Sequence, residues 1–318
     1  MNSNRQHTTG ENIPFLTDLE SFYKHVKARP PLHRDFDIRE IDPEVVSKYD
    51  HIARPFRHCF YCISLFLEGD ITFNAGFWKA RINKPALYVK TPWQVVSWMK
   101  PERWVKEYFV VFTENFLRSH KIVADLIYDM PFVQLEKTIP FELEPDEVEL
   151  LTGIYKQVLL EYRSDNPDKF SMLASYVYTL LLHVRRLYHK YAQTDEALSV
   201  HVHDHERVLV EKFRDLIRQS LALNGSGKQS LTIKYLADRL AVHPNHLNAV
   251  VRRQKNKTAI ALLHDHILYE AQSLLNQTQL PIKDIAFRLG FVDASHFNNF
   301  FRKQTGSTPA IYRKEKAV

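Results

Sequence analysis

Ile282-Lys-Asp-Ile-Ala-Phe-Arg-Leu-Gly-Phe-Val-Asp-Ala-Ser-His-Phe-Asn-Asn-Phe-Phe-Arg-Lys-Gln-Thr-Gly-Ser-Thr-Pro-Ala-Ile-Tyr-Arg313 carries two apolar stripes on either side of a single glycine. Ile282, Ile285, Ala286 and Leu289 recur at helical spacing, as do Phe297, Phe300 and Phe301. Gly290 stands where the chain must turn, and Asp293 is placed to cap the second helix. The stretch predicts helix, tight turn, helix.

The same pattern occurs upstream. Leu231-Thr-Ile-Lys-Tyr-Leu-Ala-Asp-Arg-Leu240 aligns with Leu280-Pro-Ile-Lys-Asp-Ile-Ala-Phe-Arg-Leu289 at an offset of 49. After one inserted residue, Leu247-Asn-Ala-Val-Val-Arg-Arg-Gln254 aligns with Phe297-Asn-Asn-Phe-Phe-Arg-Lys-Gln304 at an offset of 50. Arg239/Arg288, Arg252/Arg302 and Gln254/Gln304 are identical pairs, so the unit is duplicated. In the first copy Ile233, Leu236, Ala237 and Leu240 form the stripe, and Ala241-Val-His leads into Pro244, a favoured first helical residue. The second helix there buries Leu247, Val250 and Val251, and residues 259–276 predict a helix long enough to hold the two units apart.

Charge follows this division. Residues 207–318 hold 18 Lys+Arg against 8 Asp+Glu, a balance of +10, whereas the remainder holds 25 against 29. A basic third on a mildly acidic remainder is the electrostatic footprint of a nucleic-acid binder. Duplication, basic charge and polar residues on the exposed faces of both second helices point to DNA.

The stretch from Ile282 to Arg313 resembles the signature of the AraC/XylS family of transcription regulators, including the closing Gly306, Thr308, Pro309, Tyr312 and Arg313. The resemblance covers about residues 207–314. It implies that the second helix of each unit enters successive major-groove segments. Carried over by position, the base-facing residues are Asn245, Asn248 and Ala249 in the first unit, and Ala294, Ser295, His296 and Asn299 in the second. Asn can grip adenine with two hydrogen bonds, and Ser or His can donate or accept at a base edge. Many relatives carry Arg where this chain has Ala249 and Asn299, which removes a guanine contact. Arg252, Arg253, Arg302 and Lys303, near the helix ends, suit phosphate contacts that set register.

The rest of the chain reads differently. Phe60-Tyr-Cys-Ile-Ser-Leu-Phe-Leu67 is rich in β-branched and aromatic residues and runs into a turn signal at Glu68-Gly-Asp70. Further strand candidates are 71–73, 86–89, 95–99 and 107–112, within a strand-rich region from Phe22 to about Val111. Helical spacing then takes over in 146–162, with Asp146 as its expected N-cap, and in 168–191. This part resembles, more loosely, the cupin-like barrel and helical hairpin of family members that sense a small molecule.

Several motifs point elsewhere and are weighed against it. Cys59-Phe-Tyr-Cys62 has the spacing of redox and zinc sites but lies in a strand-like run with no second pair, so core packing is expected. Gly225-Ser-Gly-Lys-Gln-Ser230 lacks the earlier glycine of a phosphate loop, and Ala222 stands in its place. His201-Val-His-Asp-His205 could bind a metal but sits in a polar linker. Phe56 and His58 occupy the positions where cupin metal enzymes carry His-x-His, which leaves one imidazole and argues against metal catalysis. No Ser/His/Asp set or carboxylate pair stands out.

The expected fold is therefore α+β: residues 1–19 a disordered or extended arm, 20–192 a cupin-like sensor and dimerisation domain with barrel and hairpin, 193–206 a linker, and 207–318 an all-α domain with two helix-turn-helix units. The expected function is a sequence-specific DNA-binding transcription regulator, with a small-molecule effector in the barrel touching His58, Trp78, Trp93 and Trp98. The residues 168–191, with an apolar stripe broader than one partner covers, are expected to help form a homodimer. An activator would also contact RNA polymerase. No catalytic residue, cofactor or metal is expected. Two cysteines in 318 residues, no signal-peptide pattern and no apolar run of membrane-spanning length suit the cytoplasm. The rivals are a metal-dependent cupin-type enzyme fused to a DNA-binding domain and a constitutive regulator without effector.

Overall fold

The apolar runs of the N-terminal half are long enough to be strands and are punctuated by Pro, Gly and Asn. In a computed structural model, which describes residues 13–41, 53–99, 103–128, 130, 140–192, 205–224 and 231–316, they become one mixed sheet. The chain divides into two compact units, Phe15–Val200 and a second made of Met1–Pro14 with His201–Val318.

The first unit opens with β1 (Phe15–Leu16) and the short helix α1 (Leu19–His25). β2 (Phe36–Ile41), β3 (Ala53–His58), β4 (Phe60–Ala75), β5 (Trp78–Ile82), β6 (Ala86–Lys90), β7 (Val95–Trp98) and β8 (Arg103–Thr113) follow. Next come α2 (Glu114–Ser119), α3 (Lys121–Tyr128), β9 (Phe141–Glu142), α4 (Pro145–Arg163) and α5 (Lys169–Ala192). β4 is the hub. Its first half pairs with β6 and β8, Cys62 standing opposite both Lys90 and Val111. Its second half pairs with β5 and β7, Phe73 lying opposite Ala80 and Trp98. A many-stranded sheet is what the strand pattern predicts for this half of the chain.

Alternation along β4 sorts its side chains to two faces. Tyr61, Ile63 and Leu65 join the core beneath α2 to α5, where Leu151, Tyr155, Val158, Val177, Leu180 and Val184 are also buried. The Tyr155 hydroxyl donates to the Ile63 carbonyl at 2.9 Å and the Tyr162 hydroxyl to the Phe36 carbonyl at 3.1 Å, so the hairpin is fastened to the sheet by polar contacts as well. On the other face Phe66, Phe73, Tyr88 and Val96 form a second core, with Phe60 and Cys62 in a third.

Several sequence expectations need correction here. Glu68-Gly-Asp70 does not reverse the chain: the β4 to β8 register shifts there, and Gly69 at φ 130° lets one strand pass from one set of partners to the next. Leu19–His25 is helical inside the region read as strands, because Asp18 accepts from the Ser21 amide at 2.7 Å and starts a helix. α4 begins at Pro145, so Asp146 lies in the first turn and is not its cap. The apolar stripe of α5 packs inside its own unit, with Leu173, Val177, Leu180, Leu181, Val184 and Leu187 all buried. Of the expected N-terminal arm, residues 1–12 lie outside the described residues, whereas Ile13 packs on the C-terminal core, Phe15 and Leu16 form β1 and Leu19 begins α1.

The second unit is helical: α6 (His205–Leu223), α7 (Ile233–Arg239), α8 (Pro244–Lys255), α9 (Ala259–Gln277), α10 (Ile282–Arg288), α11 (Ala294–Thr305) and α12 (Pro309–Lys316). Its core is shared by both repeats: Leu236, Ala237, Leu247, Val250 and Val251 from the first, Ile285, Ala286, Leu289, Phe297 and Phe301 from the second. α9 lies between them with ten buried residues. No helix among the described residues is long and apolar enough to cross a membrane.

Candidate nucleic-acid interface

The two helix pairs are built from the same local devices. Thr232 caps α7 by accepting from the Tyr235 amide at 3.1 Å, and His243 caps α8 through its ring Nδ1, which accepts from the Asn245 amide at 3.2 Å. In the second copy Asp293 caps α11 by accepting from the His296 amide at 2.8 Å. α8 ends at Asn256 and α11 at Gly306, both left-handed with φ 51° and 78°.

Each second helix buries one side and presents the other. With Leu247, Val250 and Val251 buried, helical geometry directs Asn245, Ala249 and Arg252 away from the core. With Phe297 and Phe301 buried, Ser295, Asn299 and Arg302 take the same three places on α11. Asn245, Arg252, Ser295, His296, Asn299, Arg302 and Lys303 are exposed, whereas Ala249 and Ala294 are half-buried. His246 and Asn298, equally exposed on the flanks of these faces, are absent from the residues carried over by resemblance. Their signal was the repeat itself: His246 aligns with His296, and Asn298 with Asn248.

Two expected contacts are committed elsewhere. The Asn248 side-chain oxygen accepts from the Ala259 amide at 3.0 Å, tying α8 to the start of α9. The second repeat places Pro309 where the first has Ala259, and a proline has no N–H, so Asn298 is spared that bond. Arg253 does not stand free for a phosphate: its guanidinium pairs with both oxygens of Glu206 on α6, with Nε to Oε2 at 3.1 Å. That bond holds the Glu206 carboxyl below its usual range.

The domain is closed by its last helix. The Arg313 guanidinium donates to the Leu280 carbonyl at 2.7 Å, and Tyr312 stands edge-on to Phe301 at 5.3 Å. Residues 236–315 match the helix-turn-helix domain family. The C-terminal unit carries a helix-turn-helix domain of the AraC type.

Among relatives, the chain is 31% identical over 109 residues to "Bifunctional transcriptional activator/DNA repair enzyme AdaA" of Bacillus subtilis, covering 34% of this chain and 51% of that protein. It is 25% identical over 187 residues to "HTH-type transcriptional activator RhaS" of Escherichia coli, covering 54% of this chain and 66% of that protein. The chain thus spans about half the length of the first and under two thirds of the second. A crystal structure of apo ToxT from Vibrio cholerae covers 89% of this chain and 98% of its own at 14% identity, with a TM-score of 0.39.

The four residues expected to line an effector site do not converge. His58 is fully buried between Phe56 and Phe60, its ring stacked on Phe60 at 4.4 Å, and neither ring nitrogen makes a hydrogen bond. Burial first, then the Lys90 charge, pushes the His58 pKa down to about 3, against an opposing contribution from the Phe60 backbone. Trp98 stands edge-on to Phe56 at 5.6 Å, so Phe56 bridges it to His58. Trp93 turns instead to Phe15, stacked at 5.4 Å, and is held by its own amide donating to the His58 carbonyl at 2.7 Å. Trp78 lies against Phe77 at 5.0 Å. Sequence reading missed the buried polar groups on β4, β6 and β8: the Tyr88 hydroxyl donates to Glu107 at 2.6 Å, and the Cys62 and Ser64 side chains are 3.4 Å apart.

Cys59 and Cys62 are both free thiols. Cys62 is buried in the core, and the Cys59 thiol donates to the Thr17 carbonyl at 2.8 Å. Gly225–Ser230 and 201–204 lie outside the described residues, and among the described residues no three His, Cys, Asp or Glu side chains gather as a metal site.

Proposed function

We propose that the protein is a sequence-specific DNA-binding transcription regulator whose α8 and α11 read bases in successive major-groove segments. One observation carries this reading: Asn245, Ala249 and Arg252 occupy the same outward positions on α8 as Ser295, Asn299 and Arg302 on α11. Asn245, Ser295, His296 and Asn299 are the base readers, with Asn248 and Ala249 closing the contact on the first helix. Arg252, Arg302 and Lys303 hold phosphates, and Arg253 joins them when it leaves Glu206. The basic domain supplies the sequence-independent part of the affinity.

The N-terminal unit in this reading is a sensor rather than an enzyme. Its effector is a small molecule that meets His58, Trp98 and the polar groups Tyr88 and Glu107. The protein acts in the cytoplasm as a homodimer and, if an activator, touches RNA polymerase. The exposed Leu150 and Leu160 on α4 are among the apolar side chains that a second copy could cover.

Selection of binding sites from randomised duplex DNA by the full chain tests the reading. A two-part motif is expected, with Asn245→Ala relaxing one half and Asn299→Ala the other. Recovery of unselected sequence, or relaxation of the same base pairs by both variants, overturns it.

A further inference from the structure

Asp293 does more than cap α11. Its Oδ1 accepts from the His296 backbone amide at 2.8 Å, and its Oδ2 lies 2.9 Å from the His296 ring Nδ1. A carboxylate only accepts, so the shared proton sits on Nδ1 whenever the ring is neutral. The Asp293 carboxyl is held below its usual range, chiefly by the bonds from the His296 amide and ring, and is therefore ionised and acceptor-only near neutral pH. The other ring nitrogen, Nε2, is left with a lone pair. The first repeat lacks the device: the capping position there holds His243, whose Nδ1 is occupied by the Asn245 amide.

The geometry points to Asp293 as a positioning residue that fixes the sense of the contact His296 makes to DNA. It turns His296 into a hydrogen-bond acceptor, so the ring selects a base edge that offers an amino group, N4 of cytosine or N6 of adenine, and disfavours guanine O6 and thymine O4. This rests on His296 reading bases. His296 is accessible for it, with a side chain 72% exposed on the flank of the outward face.

Asp293→Asn separates this role from capping. Asn caps as well as Asp, its oxygen accepting from the His296 amide, but its NH2 now donates to Nδ1. The proton moves to Nε2 and the ring becomes a donor. The test uses the full chain at about pH 8, above the ordinary imidazole range. Nitrogen-15 NMR of the ring reports the tautomer, and selection from randomised duplexes reports the preferred bases.

The expected result is an Nδ1–H ring in the natural protein and an Nε2–H ring in Asp293→Asn. At one base pair the preference passes from an amino edge to a carbonyl edge by about fivefold or more. His296→Ala should flatten preference at that same base pair. An Nε2–H ring in the natural protein, or a tautomer unchanged by Asp293→Asn, overturns the inference while leaving base reading by His296 intact. A tautomer that inverts with a binding profile indifferent to His296→Ala removes base reading by His296 itself, and the proposal with it.

Discussion

Ala241 and Gly290 occupy the same corner of the two helix-turn-helix units, and both have positive φ, 56° and 84°. Glycine adopts that conformation at no steric cost, whereas alanine's Cβ crowds the backbone by roughly 1 kcal/mol. The first unit therefore carries strain that the second avoids. Ala241→Gly should stabilise the full chain by about 0.5–1 kcal/mol and Gly290→Ala should destabilise it by about 1 kcal/mol, read from chemical denaturation. Equal losses from both substitutions would refute the equivalence of the two corners.

Asn248 joins α8 to α9 through its bond to the Ala259 amide, and Ala259 is buried. Removing the acceptor leaves that amide unpaired at a cost of about 1–2 kcal/mol. Asn248→Ala should lower stability by this amount, whereas Asn248→Asp keeps an acceptor and should stay close to the natural protein. Both variants lack the side-chain NH2 and should lose any adenine preference at the same base pair. Loss of stability in Asn248→Asp as well would show that the contact is not made through the oxygen.

The C-terminal half was legible because its signals are local. Stripes at helical spacing, Gly290 at the turn and Asp293 as cap all act within a few residues, and duplication showed the stripes twice. What escaped was set by partners distant in sequence. Nothing near Arg253 announces Glu206, 47 residues earlier, and nothing near Asn248 announces the Ala259 amide across the next turn. In the sheet, Glu68-Gly-Asp70 has turn composition, but the pairings of β4 on both sides turned it into a bend within one strand. The scatter of the expected effector residues has the same reason: strand pairing and Phe15 decide where Trp93 points. Trp78, Trp93 and Trp98 were grouped by residue type, which carries no register.

His58 gives the N-terminal unit a titration with a definite sign. Burial depresses its pKa to about 3, so the folded ring stays neutral while the unfolded chain takes up a proton below about pH 6.5. The neutral ring's contribution is complete above pH 6.5 and is lost as pH falls towards 3, by up to about 1.4 kcal/mol per pH unit. His58→Phe, between Phe56 and Phe60, removes this proton uptake. The stability of His58→Phe relative to the natural protein should rise steadily from pH 6.5 to 4, with His58→Leu giving the same slope. A difference that does not change with pH would mean the folded ring titrates normally.

Glu206 and Arg253 provide a last prediction, on salt dependence. Each phosphate neutralised releases counterions and adds about −0.9 to the slope of log affinity against log salt. Arg252, Arg302 and Lys303 are exposed and hold phosphates in the proposed reading, whereas Arg253 is engaged by Glu206. Arg252→Ala and Arg302→Ala should each flatten the slope by about 0.9 and weaken all sequences alike. Arg253→Ala should change the slope less, because the Arg253 charge is already matched within the protein. Glu206→Gln should release Arg253, steepening the slope and raising affinity at low salt. In the double variant Glu206→Gln with Arg253→Ala that gain should vanish, since Glu206 acts only through the guanidinium it holds. If Glu206→Gln raised affinity equally with and without Arg253, the effect would come from the lost negative charge alone, and Arg253 would not reach the phosphates.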